Sequence, residues 1–231
     1  MAIVRIEKLS KQYRQDSITV NALSDIELKI NKGEFLALVG PSGSGKTTLL
    51  NLIGGLDSPS QGKIWVGDEE IGRLSRQQLS RLRLWKIGFI FQEYNLIPVL
   101  SALENVEYVM LLQNLSDTER REAAMAVLQE VGLKGLEHRR PAELSGGQQQ
   151  RVAVARAIVS QPNIVLADEP TANLDSTTGK ALLDLMRSLN ERHGITFIFS
   201  THDTMVMERA KRLITLRDGR IVEDKIQDSS I

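Results

Sequence analysis

Apolar and polar positions partly alternate in the opening runs IVRIEKL and NALSDIELKI, the period of strands with one buried face. GEFLALVG, following Lys32, is instead a compact apolar run, as expected of a strand buried on both faces. A glycine loop separates it from KTTLLNLIGGL, whose spacing predicts a helix. GKIWVGDEEI reads as an edge strand or hairpin piece, an amphipathic helix is predicted around Ser75 to Leu84, and KIGFIFQ is a further buried strand. From Glu93 to Ser160 strand runs vanish. Helical spacing dominates there in SALENVEYVMLLQ, TERREAAMAVLQEVGL and GGQQQRVAVARAIVS. After Pro162 buried strands return as NIVLADE and ITFIFST, with the helix TGKALLDLMRSLNERHG between them. RLITLRDGRIVE predicts a hairpin turning at Asp218-Gly219. The pattern describes an α/β core with a β subdomain, residues 1–92 and 161–231, interrupted by a helical subdomain at 93–160.

Composition narrows the chemistry. The 231 residues carry 29 basic and 29 acidic side chains, so no basic field points to nucleic acid, and none is expected as a partner. With no cysteine, a disulfide, a thiolate metal site and a cysteine nucleophile are all excluded. The opening residues MAIVRIEKLS lack the long apolar region of a signal peptide, and runs such as IGFIF are too short to span a bilayer. Work at a membrane would need another component to hold the chain there.

Gly40, Pro41, Ser42, Gly43, Ser44, Gly45, Lys46 and Thr47 spell GPSGSGKT, the G-x-x-x-x-G-K-S/T pattern, between a predicted strand and a predicted helix. Glycines let backbone amides turn inward around phosphate oxygens, and the helix N-terminus adds to the attraction. Lys46 is expected to reach the β- and γ-phosphates and Thr47 to ligate Mg²⁺. NIVLADEP describes a buried strand delivering Asp168 to its C-terminal edge, where it would hold Mg²⁺ through water, with Glu169 as general base. His202 ends another buried strand, where open α/β sheets place ligand groups. His138 and His193 carry no such positional signal, and His193 before Gly194 reads as a helix C-terminal turn.

GPSGSGKT, Gln92 ending IGFIFQ, LSGGQ at Leu144 to Gln148, VLADEP, ANLD and STHD occur in the order found in ABC-transporter nucleotide-binding subunits, and the resemblance covers nearly the whole chain. It implies one ATPase domain over 1–231, a P-loop NTPase with a RecA-like core, an antiparallel β subdomain and an inserted α-helical subdomain. By the same likeness ATP and Mg²⁺ are the cofactors, with Thr48 continuing the phosphate site. Tyr13 corresponds to the aromatic that stacks on adenine, Gln92 to a Mg²⁺-sensing residue coupling core and insert, and His202 to the switch histidine. Asp175 corresponds to a residue crossing a dimer interface. Ser145, Gly146, Gly147 and Gln148 would cap the ATP held by a second copy, so the resemblance implies a homodimer formed through ATP. FQEYNLIPVLSALENV, Phe91 to Val106, is similar to the lipoprotein-releasing and macrolide-exporting group, the LolD/MacB type. Tyr94, Leu96, Ile97, Pro98 and Leu100 would then line an apolar groove for a membrane permease subunit at the cytoplasmic face of a bacterial inner membrane. The motifs would also suit an ATP-gated mechanical clamp of the cell-division type.

Overall fold

A computed structural model describes residues 1–15 and 18–227 of the chain. Its first half contains β1 (Ala2–Gln15), β2 (Ile18–Asn31), β3 (Phe35–Val39), α1 (Lys46–Ile53), β4 (Gln61–Val66), β5 (Glu69–Glu70), α2 (Arg76–Lys86), β6 (Ile87–Ile90) and α3 (Ala102–Leu112). The second half adds α4 (Asp117–Glu130), α5 (Gly146–Ile158), β7 (Ile164–Asp168), α6 (Ser176–His193), β8 (Thr196–Thr201), α7 (Thr204–Arg209), β9 (Arg212–Arg217) and β10 (Arg220–Ile226). One antiparallel sheet runs β2-β1-β4-β5. The other runs β10-β9-β3-β8-β7-β6, with β9, β3, β8, β7 and β6 parallel.

β3 is buried along its whole length, and its two faces serve different neighbours. Phe35, Ala37 and Val39 join Val165, Ala167, Phe197 and Phe199 in a cluster that includes the buried faces of α3, α4, α5 and α6. Leu36 and Leu38 join Leu166, Ile198 and Ile214 in a second cluster with α1 and the antiparallel sheet. Period-two alternation is present in this strand, but both of its phases are apolar. Each such Leu or Phe contributes about 1.5–3 kcal/mol by leaving water. The central strands are therefore a rigid base for the loops at their ends.

β1 and β2 extend well past the runs that alternation marks, to 14 residues each. Their outer part pairs Gln12 with Asn21 and Tyr13 with Val20, where exposed side chains carry no core-facing period. Gly194, with φ 66°, caps α6 after His193, and Asp218 and Gly219 turn between β9 and β10 with φ 50° and 71°. Four helices begin alike. Ser75, Ser101, Ser116 and Ser145 each accept a bond from the backbone N–H three residues on, and the side chains of Gln78, Glu104, Glu119 and Gln148 accept in turn from the serine N–H.

α5 ties the helical segment to the sheet. Its residue Ala157 lies against β6 where Gly88 has no side chain: a Cβ there would sit 2.2 Å from the Ala157 carbonyl oxygen. Among the described residues no helix is long and apolar enough to cross a membrane.

Candidate functional site: a phosphate cleft and a detached helix start

Four neighbouring parallel strands end at one sheet edge, and each delivers a residue singled out by sequence. The Gly40–Thr47 loop follows β3, His202 follows β8, Asp168 and Glu169 close β7, and Gln92 lies two residues beyond β6. Residues Pro41 to Thr48, Gln92, Glu169 and His202 line one open cleft of about 600 Å³. That size suits a nucleotide-sized ligand. Val20, Asn21 and Ala22 complete its wall. No sequence signal marks those three, because their approach depends on how the β1–β2 ribbon folds over the loop.

The loop's shape requires glycine at Gly40, with φ 145°, where a Cβ would come within 2.2 Å of the Leu216 carbonyl oxygen. Lys46 is buried, and its ammonium donates to the Gly40 and Pro41 carbonyls at 2.8 and 3.1 Å. The Thr47 hydroxyl donates to Asp168 Oδ1 at 3.2 Å, setting a hydroxyl of the cleft lining beside a carboxylate that is not itself in that lining. Glu169 holds a left-handed backbone, φ 45°, with its N–H bonded to the Ser200 carbonyl at 2.9 Å. Thr201 donates to Glu169 Oε2 at 3.0 Å, while Nδ1 of the exposed His202 ring lies 2.6 Å from Oε1. An ionised Glu169 accepts from Nδ1–H there.

Ser145, Gly146, Gly147 and Gln148 lie outside this cleft's lining. Ser145 Oγ accepts from the Gln148 N–H at 3.3 Å, and Gln148 Oε1 accepts from the Ser145 N–H at 2.9 Å. A helix leaves its first amide hydrogens without intrahelical partners. Once the box has taken two, the N–H groups of Gly146 and Gly147 have no hydrogen-bond partner among the described residues. Two adjacent unpaired donors on side-chain-free residues, at the positive end of α5, form an anion-receiving surface. Gln149 donates to the Leu144 carbonyl at 3.1 Å. The fully buried Gln150 donates to the Pro170 carbonyl at 2.7 Å, next to Glu169. Asp175 is the N-cap of α6, and bonds led by that from the Thr178 hydroxyl hold its pKa below the ordinary carboxylate value. It too lies outside the lining.

Tyr13 exposes its ring beside the cleft wall, and its hydroxyl donates to Asp57 Oδ2 at 2.8 Å. Burial and the Asp57 contact push the phenol pKa up. Burial opposes the charge on Asp57, but Lys11 at 2.6 Å, Tyr13 and the Ser58 amide outweigh it, and the carboxyl pKa falls below the ordinary value. Asp57 and Lys11 escape sequence reasoning, since 46 residues separate them.

The segment Tyr94 to Leu100, expected to line an apolar groove, turns sharply at its start. Tyr94 and Asn95 adopt left-handed φ of 60° and 48°, and Arg156 of α5 holds their carbonyls at 2.8 and 2.6 Å. Burial lowers the Arg156 pKa. Tyr94 points its hydroxyl at the start of α5, 2.9 Å from where a Cβ on Gly146 would sit. Leu96 packs on the core cluster, and the buried Asn105 amide holds the backbone at Ile97, Leu100 and Ser101. An apolar groove of about 620 Å³ does exist, lined by Leu56, Leu84, Ile87, Phe89, Phe91, Val109 and Leu112 with Arg83 and Arg156. From the segment Tyr94 to Leu100, only Asn95 reaches it. Side-chain direction after two left-handed residues is invisible to periodicity, and neither residue is glycine.

Fold and cleft define a P-loop nucleotide-binding α/β protein. The family profile described as ABC transporter matches residues 23–172. The macrolide export ATP-binding/permease protein MacB of Sodalis glossinidius is 46% identical over 99% of this chain, which spans 35% of that protein's length. The lipoprotein-releasing system ATP-binding protein LolD of Legionella pneumophila is 42% identical, over 95% of this chain and 96% of its own. The dimeric post-hydrolysis structure of the ATP-binding cassette MJ0796, bound to ADP and Pi, superposes with a TM-score of 0.90 at 41% identity, over 98% of this chain and 99% of that one. The chain belongs to the ABC transporter family and is an ATP-binding cassette of it.

Proposed function

We propose that this chain hydrolyses ATP in its cleft as one half of a dimer and drives a membrane permease that extrudes or extracts an amphipathic substrate. The convergence of the P-loop, Glu169, His202 and Gln92 from four parallel strands carries the reading. Loop amides and Lys46 bind the phosphates, with Thr48 beside them, and Tyr13 stacks on the base. Glu169 accepts the proton of the attacking water, and His202 contacts the γ-phosphate. Thr47, Asp168 and Gln92 offer the hard oxygen donors that suit Mg²⁺, which when bound would neutralise phosphate charge. The contact between Thr47 and Asp168 supports that fit.

The unpaired Gly146 and Gly147 amides lie outside their own chain's cleft and receive the γ-phosphate held by a second copy, with Ser145 and Gln148 holding the helix start around them. Asp175 faces the same interface. ATP binding thereby favours the dimer, and hydrolysis releases it. Residues 93–160 act as a helical lever on a core formed by 1–92 and 161–231. The groove at Phe89, Phe91 and Val109 receives the permease at the cytoplasmic face of the inner membrane. The relatives named for macrolide export and lipoprotein release favour this reading over a mechanical clamp.

The test is Glu169→Gln. With ATP it should form a stable dimer in size-exclusion chromatography with light scattering and lose most turnover. A variant that stays monomeric at saturating ATP would refute the assignment.

A further inference from the structure

We propose that Thr201 is a positioning residue that aims the Glu169 carboxylate for turnover, fixing which carboxylate oxygen faces His202 and the cleft. The proposal rests on the assignment of Glu169 as general base.

Thr201 is the last residue of β8 and is fully buried. Its hydroxyl has one hydrogen to give, and the Asp203 N–H donates to its oxygen at 2.9 Å. Glu169 Oε2, 3.0 Å away, can only accept when the carboxylate is ionised, so the hydroxyl hydrogen points at it. The direction is fixed by partners and not by a free rotor.

Asp203 is itself held. Its Oδ2 accepts from the Thr171 hydroxyl at 2.6 Å, and its Oδ1 accepts from the Met205 N–H at 2.9 Å. This chain of bonds begins at the cap of α7 and ends on one oxygen of Glu169. Oε1 is left facing the exposed His202 ring and the cleft. Glu169 also sits at φ 45°, a backbone region that a non-glycine residue keeps only when its surroundings hold it there. The Ser200 carbonyl secures its amide, and Thr201 secures its carboxylate.

The experiment measures steady-state ATP hydrolysis and nucleotide affinity for Thr201→Val, a near-isosteric change that removes the hydroxyl, for Thr201→Ser, and for each in the Glu169→Gln background. A hydrogen bond to a charged group corresponds to about a tenfold to hundredfold effect. Thr201→Val should therefore lower kcat about tenfold or more, with KM and ATP affinity unchanged, and Thr201→Ser should restore the rate. On Glu169→Gln, Thr201→Val should remove little further activity, because the group it aims is gone.

Wild-type kcat in Thr201→Val would overturn the proposal, and so would an equal fractional loss in both backgrounds. Loss of ATP affinity alongside rate would also overturn it, by assigning Thr201 to the fold of the cleft. Should the valine variant not fold, Thr201→Ala takes its place in the same cycle. Near-wild-type turnover by Glu169→Gln alone would instead refute the general-base assignment, an outcome separate from every Thr201 result.

Discussion

Gly88→Ala asks whether close backbone approach, and not backbone flexibility, dictates glycine in β6. Gly88 does not have positive φ, so alanine can adopt its conformation. On chain entropy alone the substitution would stabilise the fold by about 0.4–1 kcal/mol. Packing opposes it. The new Cβ would lie 2.2 Å from the Ala157 carbonyl oxygen, 2.9 Å from its carbon and 3.2 Å from its Cα. All three atoms are backbone, so no rotamer change relieves the clash, and α5 must move by roughly 1 Å to reach ordinary contact. Overpacking of this kind costs about 1–3 kcal/mol. The steric term wins, leaving a net loss of about 1–2 kcal/mol. For a chain of this size that lowers Tm by about 2–8 °C. Urea unfolding should show a reduced midpoint at unchanged slope. ATPase activity should also fall below the unfolding range, because Gln150 and Arg156 on the displaced helix hold Pro170, Tyr94 and Asn95. A midpoint equal to or above the parent's would refute the reasoning, since entropy would then have decided the sign.

At Gly147 a Cβ would meet Thr178 Cγ2 at 2.4 Å, and Asp175 holds the Thr178 hydroxyl in place. Gly147→Val should cut turnover about a hundredfold, as an ångström-scale misplacement does. Fluorescent-nucleotide binding to the P-loop should persist, and its parallel loss would count against a role across the dimer. Asp57→Asn weakens the tether on Tyr13, so KM for ATP should rise about twofold to tenfold at constant kcat; an unchanged KM would sink the role. The pKa of Asp57 is depressed in the folded protein, so its stabilising contribution is full above the ordinary carboxylate pKa and is lost as pH falls through the lower folded value. Asp57→Asn should flatten that acid-side loss in a Tm-against-pH series.

The parts legible in the sequence share one property: their physics is local. GPSGSGKT carries its own turn chemistry, and NIVLADE and ITFIFST carry enough apolar residues to declare both faces buried. The order of strands in the sheet follows no local rule, yet it brings Gln92, Glu169, His202 and the P-loop to one edge. Resemblance supplied the pairing that periodicity could not. Tyr94 depends on a backbone turn that side-chain type does not announce. Resemblance marked its segment as a docking face; two left-handed residues turn the ring onto α5, while β6 and α3 line the neighbouring groove. Asp57, Thr201 and Gln150 act through bonds to residues 20–46 positions away, or through the direction of a single hydrogen, and neither kind of information is written in side-chain type.

The capping box at Ser145 leaves the fold's own surplus donors as the anion-receiving surface. Those donors are peptide amides, so in the proposed composite site they neither gain nor lose charge at any physiological acidity. Side-chain substitution can crowd the two N–H groups, but of the twenty residues only proline deletes one. The box's partner is also neutral: α3 and α4 use Glu104 and Glu119 where α5 uses Gln148. On the proposed reading, phosphate recognition by these amides is blind to pH, and acid–base dependence of the cycle would originate among groups that can exchange a proton.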